Sequence, residues 1–92
     1  MEVRFYATLR QITGCRSVTL PLAGGATVRR LIDAVIERYP AMREDLLDEK
    51  GELWGHVHVF INGRDAPYLD EGLDTALGVE DTVDVFPAVA GG

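Results

Sequence analysis

Asp81-Thr82-Val83-Asp84-Val85-Phe86-Pro87-Ala88-Val89-Ala90-Gly91-Gly92 closes the sequence. Val83 and Val85 alternate with Asp84 and Phe86, a period of two that predicts a half-buried strand over 82–86. Pro87 cannot donate to a strand ladder and stops it. Small residues then run down to Gly91-Gly92. A glycine inside a chain ordinarily supplies a turn or close packing, but these two have nothing after them to turn toward. Their value then lies in slimness, flexibility and the free carboxylate of Gly92. Extended, residues 88–92 reach roughly 15 Å at about 3.3 Å per residue, enough to thread a narrow channel into another protein. Terminal fraying is the competing reading.

A strand at the end of a chain needs a neighbour, and the sequence upstream offers several. Residues 2–8 alternate, with Val3, Phe5 and Ala7 on one face and Arg4, Tyr6 and Thr8 on the other. After a long connection over 9–16, Ser17–Leu22 alternates again through Val18, Leu20 and Leu22, so the two runs read as a hairpin. Gly24-Gly25 breaks the chain, and Thr27 is a good N-cap. Val28, Leu31, Ile32, Val35, Ile36 and Tyr39 then fall at i, i+3, i+4, i+7, i+8 and i+11, which predicts an amphipathic helix over 27–39. Pro40 ends it. Residues 41–48 read as a short second helix with Met42, Leu46 and Leu47 inward, followed by a loop at Lys50-Gly51-Glu52 with Trp54 in or just after it.

His56–Asn62 alternates strictly, Val57, Val59 and Ile61 against His56, His58, Phe60 and Asn62. Asn62-Gly63 is a hairpin signal leading to a short strand near Ala66–Leu69. Residues 70–76 read as loop or a single helical turn, and 79–81 as a turn. One helix, a hairpin and three further strands bury one sheet face against the helix, an α+β domain of two layers. The first and last strands are far apart in sequence, and a parallel central pair would give both a neighbour.

Composition narrows the function. Ninety-two residues make one domain with a single core. A net charge of −6 argues against a nucleic-acid groove and suits a protein partner with a basic face. The one cysteine, Cys15, excludes an intrachain disulfide and points to a reducing compartment, the cytoplasm. No apolar run approaches membrane-spanning length. Lys50 is the only lysine beside eight arginines.

With this element order, Val3-Arg4-Phe5-Tyr6-Ala7-Thr8-Leu9-Arg10 at the front, Thr27-Val28 opening the helix, and the Phe-Pro-x-Val-x-Gly-Gly ending, the chain resembles the MoaD/ThiS-like sulfur carriers. The family includes the small subunit of molybdopterin synthase and related thiocarboxylate carriers. The resemblance implies a β-grasp (ubiquitin-like) fold over 1–92, a mixed sheet on one main helix with a flexible tail from about 87 to 92. Nothing follows Gly92, so the chain resembles a carrier needing no proteolytic maturation. The segment Asp48–Val57 is longer than in a minimal molybdopterin-type subunit and looks more like carriers of cysteine synthesis or archaeal pathways.

The resemblance also implies a chemistry. A partner adenylyltransferase (E1-like) spends ATP to activate the Gly92 carboxylate, with Gly91 keeping the channel clear. A persulfide donor converts it to a thiocarboxylate. That species serves an acceptor such as a molybdopterin synthase large subunit or a cysteine synthase; thiamine and tRNA-thiolation pathways are further possibilities. The chain would then be a carrier or co-substrate, not an enzyme, with no cofactor of its own. Tyr6, His58, Phe60 and Phe86 alternate against their strands' core sets; with the first, third and last strands neighbours, as the resemblance implies, they would form an aromatic patch at the root of the tail, and a contiguous patch marks a contact surface. Pro87 and Val89 of the shared ending join them as partner-binding residues. The alternative is a ubiquitin-like protein modifier or a non-catalytic interaction module.

Other residues read more plainly. His56 and His58 at i, i+2 could ligate a metal, but a second pair of ligands is not evident, so no metal site is expected. Cys15 near Arg10 and Arg16 lacks a base and reads as a small buried or half-buried thiol. Asp70, Glu71 and Asp74 lack calcium-loop spacing and read as solvated turn residues.

Overall fold

The computed structural model describes residues 1–66 and 69–87. Five strands form one mixed sheet: β1 (Glu2–Phe5), β2 (Ser17–Thr19), β3 (His58–Ile61), β4 (Arg64–Asp65) and β5 (Val83–Phe86). Their order across the sheet is β2-β1-β5-β3-β4. The last strand therefore sits in the middle, parallel to β1 and antiparallel to β3. The pairs Val3↔Val83 and Phe5↔Val85 lie in one register, with Val85 and Val83 facing Val59 and Ile61 across the other edge. All six side chains are buried on the inner face.

Helix α2 (Val28–Arg38) covers that face. Thr27 is extended (φ −82°, ψ 164°) and its Oγ1 accepts the Arg30 N–H at 3.1 Å, the expected N-cap. Tyr39 leaves the helical region at ψ 80°, as a residue before proline must. Val28, Leu31, Ile32 and Val35 are buried, whereas Ile36 is half-buried and Ala34 is buried instead. The arc facing the sheet is turned slightly toward Ala34, which leaves Ile36 on the shoulder. The start of α2 is tied down by Val28 N–H donating to Thr75 O (3.1 Å) and Leu77 N–H to Ala26 O (2.8 Å).

Three expectations need correction. The first strand does not run to residue 8: it stops at Phe5, and Thr8–Thr13 form helix α1. Ala7, expected inward, is exposed at φ 52°, and Gly14 caps α1 in the left-handed region (φ 74°). Leu9 is buried and Ile12 half-buried, three residues apart on one helical face, so burying Leu9 favours the helix over further strand. The second strand is shorter than Ser17–Leu22, ending at Thr19, although Leu20 still donates to Met1 O at 2.7 Å. The return strand after Asn62-Gly63 is Arg64–Asp65, not near Ala66–Leu69. Asn62 (φ 53°) and Gly63 (φ 83°) both take positive φ, the type I′ turn that starts the returning strand at the next residue. Ala66 is buried, and 67–68 lie outside the described residues.

The region after α2 follows its reading more closely. A 3₁₀ turn (Pro40–Met42) and helix α3 (Arg43–Leu46) bury Met42 and Leu46, with Leu47 half-buried. Asp48 Oδ1 accepts the N–H groups of Lys50 (2.8 Å) and Glu52 (3.0 Å), closing a tight turn beside a Leu47↔Leu53 bridge. Another 3₁₀ turn occupies Gly72–Asp74. Among the described residues no helix is long and apolar enough to cross a membrane.

Leu31 has no exposed surface at the centre of this core. Leu31→Ala is expected to cost about 2–5 kcal/mol, read as a lowered denaturation midpoint at unchanged slope.

Candidate docking face at the root of the tail

The register that fills the core also decides what meets on the outer face. His58 lies opposite Phe86 and Phe60 opposite Asp84 on β3 and β5, while Arg4 lies opposite Asp84 on β1. Tyr6, one residue beyond Phe5, comes alongside Phe86. Its ring stacks on Phe86 with centroids 4.1 Å apart and planes 11° apart. Phe60 meets Phe86 edge-on at 5.4 Å and 89°, and His58 lies 6.0 Å from Phe60. Stacked and T-shaped contacts are the favoured aromatic geometries. The four expected aromatics thus form one contiguous surface, and Tyr6, Phe60, Gly63, Asp84 and Phe86 line a shallow open depression in it.

The sequence reading did not single out the polar group beneath the rings. Asp84 is only 8% exposed although it faces outward, because Arg4 and Tyr6 close over it. Arg4 Nε lies 2.6 Å from Asp84 Oδ1, and Arg4 Nη2 donates to Oδ2 at 2.9 Å, a forked pair. The Tyr6 hydroxyl donates to Asp84 Oδ1 at 2.7 Å. That hydrogen bond, then desolvation and the carboxylate's charge, raise the Tyr6 phenol above its ordinary value of 10.0. The Arg10 guanidinium lies 5.3 Å from the Tyr6 ring centroid, held there by Nε donating to Phe5 O at 3.0 Å. Alternation already put Arg4 and Asp84, opposite in charge, on the outer face; only the parallel register made them neighbours.

At the patch edge, His58 Nδ1 lies 2.8 Å from Asp65 Oδ2. His56 precedes β3 and stacks instead on the exposed Trp54, centroids 5.4 Å apart. Among the described residues, no three His, Cys, Asp or Glu side chains group to hold a metal ion. Cys15 is exposed, not buried or half-buried, because it follows the Gly14 cap into the turn before β2. Asp70, Glu71 and Asp74 are exposed, with Asp74 Oδ1 3.3 Å from Arg29 Nε. Pro87 is buried directly after Phe86. Val89, Gly91 and Gly92 lie outside the described residues.

A mixed sheet with its last strand between the first and third, packed on one main helix, defines a ubiquitin-like β-grasp protein. The chain belongs to the ThiS family, whose profile matches residues 3–92. It is 39% identical over 92 residues to small archaeal modifier protein 3 of Haloferax volcanii, covering 100% of this chain and 98% of that one. It is 35% identical over 72 residues to the sulfur carrier protein CysO of Mycobacterium tuberculosis, covering 76% of each. Among solved structures, it is similar to a chain of the Amycolatopsis orientalis BexX/CysO complex, with a TM-score of 0.80, 34% identity, and coverage of 99% of this chain and 98% of that one. The first of these relatives is a small modifier protein and the second a sulfur carrier protein.

The Tyr6 phenol has a consequence for alkaline stability. Its folded pKa lies above the ordinary 10.0 of the unfolded chain, so its contribution is complete below about pH 10. It is lost as pH rises from there through the folded value. Tyr6→Phe should remove this part of the alkaline fall in melting temperature, measured by thermal melts across that range.

Proposed function

We propose that this protein is a sulfur carrier charged at the Gly92 carboxylate. A partner adenylyltransferase joins that carboxylate to AMP, releasing pyrophosphate from ATP. A donor's persulfide sulfur attacks the carbonyl and expels AMP. A second thiol then cleaves the resulting acyl disulfide, leaving a Gly92 thiocarboxylate for an acceptor enzyme. A bare carboxylate is a poor electrophile, so activation must come first, and side chains at 91 or 92 would crowd the reacting carbonyl. ATP, its metal and the nucleophiles belong to the partners in this reading, and the chain brings no cofactor of its own. The work belongs in the cytoplasm, where ATP is available and Cys15 stays reduced.

The observation that carries the reading is the position of Phe86. It ends the central strand, centres the ring cluster and precedes the tail by one residue. Tyr6, His58, Phe60 and Phe86 then dock the globular part, while Pro87 and Val89 lead Gly91 and Gly92 into the partner's channel. Membership in the ThiS family and similarity to a chain of the BexX/CysO complex support a partner-bound mode of action. The acceptor's pathway, molybdopterin or cysteine synthesis among them, is left to its partner.

A second reading has its own support in the 39% identity to a small archaeal modifier protein. There the activated Gly92 would pass to a lysine amine as an isopeptide. The two readings separate at Gly92: mass spectrometry after incubation with ATP, the cognate adenylyltransferase and a persulfide donor should find one oxygen replaced by sulfur. Deleting Gly92, or adding one residue after it, should leave the complex detectable and abolish activation, since misplacing a reacting group by about 1 Å costs roughly a hundredfold. A truncated tail that still accepted sulfur, or an intact one that never did, would overturn the carrier reading. Phe60→Asp, on the half-buried centre of the patch, should weaken the same complex at least about tenfold with little change in melting temperature.

A further inference from the structure

Asp84 is the one buried charged residue among those described, and it sits on the wrong face for a core role. The inner face of β5 is filled by Val83 and Val85, and neither needs a carboxylate behind it. A buried ion pair is weak evidence of stabilisation, because desolvation offsets most of the attraction. Its hydrogen bonds nevertheless restrict geometry. Two Arg4 nitrogens and the Tyr6 hydroxyl converge on its two oxygens. The Tyr6 ring is thereby held at its far end by Asp84, on its face by Phe86 and at 5.3 Å by Arg10.

An unpinned tyrosine beyond the end of a strand turns readily about its side-chain bonds. This one follows the last residue of β1 and precedes Ala7, whose positive φ turns the backbone away from the sheet. Without a partner for the hydroxyl, stacking on Phe86 would be one orientation among several. We propose that Asp84 is the positioning residue of the docking face: from the central strand it fixes Tyr6 flat on Phe86, so that the partner meets a preformed aromatic shelf. Arg4 bridges both carboxylate oxygens, so no uncompensated negative charge faces an apolar anchor.

The inference rests on the docking role of this face given above, and it adds the residue that presets its shape. Preorganisation of this kind lowers the cost of ordering side chains on binding. Asp84 touches no reacting atom and acts through Tyr6.

Three variants of the full chain test it: Asp84→Asn, which keeps size but weakens the acceptor, Tyr6→Phe, which keeps the ring but removes the donor, and the double variant. Residue-resolved NMR titration should place the Tyr6 phenol above its ordinary value of 10.0 in the wild type. In Asp84→Asn it should fall back toward that value, with weakened Tyr6–Phe86 ring contacts. Affinity for the cognate adenylyltransferase should drop about tenfold in either single variant, the scale of a lost charged hydrogen bond, and little further in the double variant. Asp84→Asn that folds, releases the Tyr6 ring and binds within about twofold of wild type overturns the proposal. So does a Tyr6 that titrates and stacks identically in both proteins. Wild-type protein that does not bind the enzyme overturns the carrier reading and the docking claim together, while the ring measurements still decide whether Asp84 sets Tyr6.

Discussion

The pairing of the first strand with the last governs this molecule. Val3, Arg4 and Phe5 lie in parallel register with Val83, Asp84 and Val85, although the paired residues stand some eighty positions apart. A parallel pair needs a crossover, and here nearly the whole chain supplies it, with α2 packed on one face. The strand threaded last becomes the most enclosed, with Val83, Asp84 and Val85 all buried. The tail therefore departs from the most firmly held strand of the sheet, and Pro87, itself buried, ends the ladder there. The position of Pro87, where the described chain ends, is thereby set by the core.

The two faces of β5 show opposite uses of burial. Inside, aliphatic side chains remove apolar surface from water, the dominant favourable term in folding. Outside, three aromatic rings and a histidine remain half-buried or exposed around a sequestered carboxylate. Exposed apolar surface contributes nothing to the folded monomer and favours contact with something else. The protein carries a net charge of −6, yet two of its arginines, Arg4 and Arg10, stand at this patch. Arg4 is paired there with Asp84, which leaves Arg10 as the cation beside the Tyr6 ring.

Turn chemistry sets the frame around these strands. Asn62 and Gly63 take the positive φ values a two-residue hairpin requires. The Asn62 side chain also accepts from Thr82 N–H at 2.9 Å and donates to Asp81 Oδ1 at 3.1 Å. Gly78 N–H donates to the other Asp81 oxygen at 2.8 Å. Together these donors lower the Asp81 carboxyl below its ordinary value, the Gly78 contribution being the larger. One turn thereby aligns the entry to the central strand.

The main helix, the Asn62-Gly63 turn and the inward valines of β5 were legible in the sequence, because each depends on periodicity or on one turn's φ values, whereas the strand returning from that turn was expected too late in the chain. The aromatic face was legible too, since alternation puts Tyr6, Phe60 and Phe86 opposite the core set once the strands are neighbours. Helix α1 was not, because Ala7 and Thr8 continue the alternation of β1 and only the burial of Leu9 favours a helix there. The exposure of Cys15 depended on that same helix and its Gly14 cap. Asp84 was the largest omission. Its residue type and face could be read from one strand, but its burial required Arg4 and Tyr6 from a strand at the other end of the chain. Local pattern determines which way a side chain points; strand register, a property of the assembled sheet, decides what it meets.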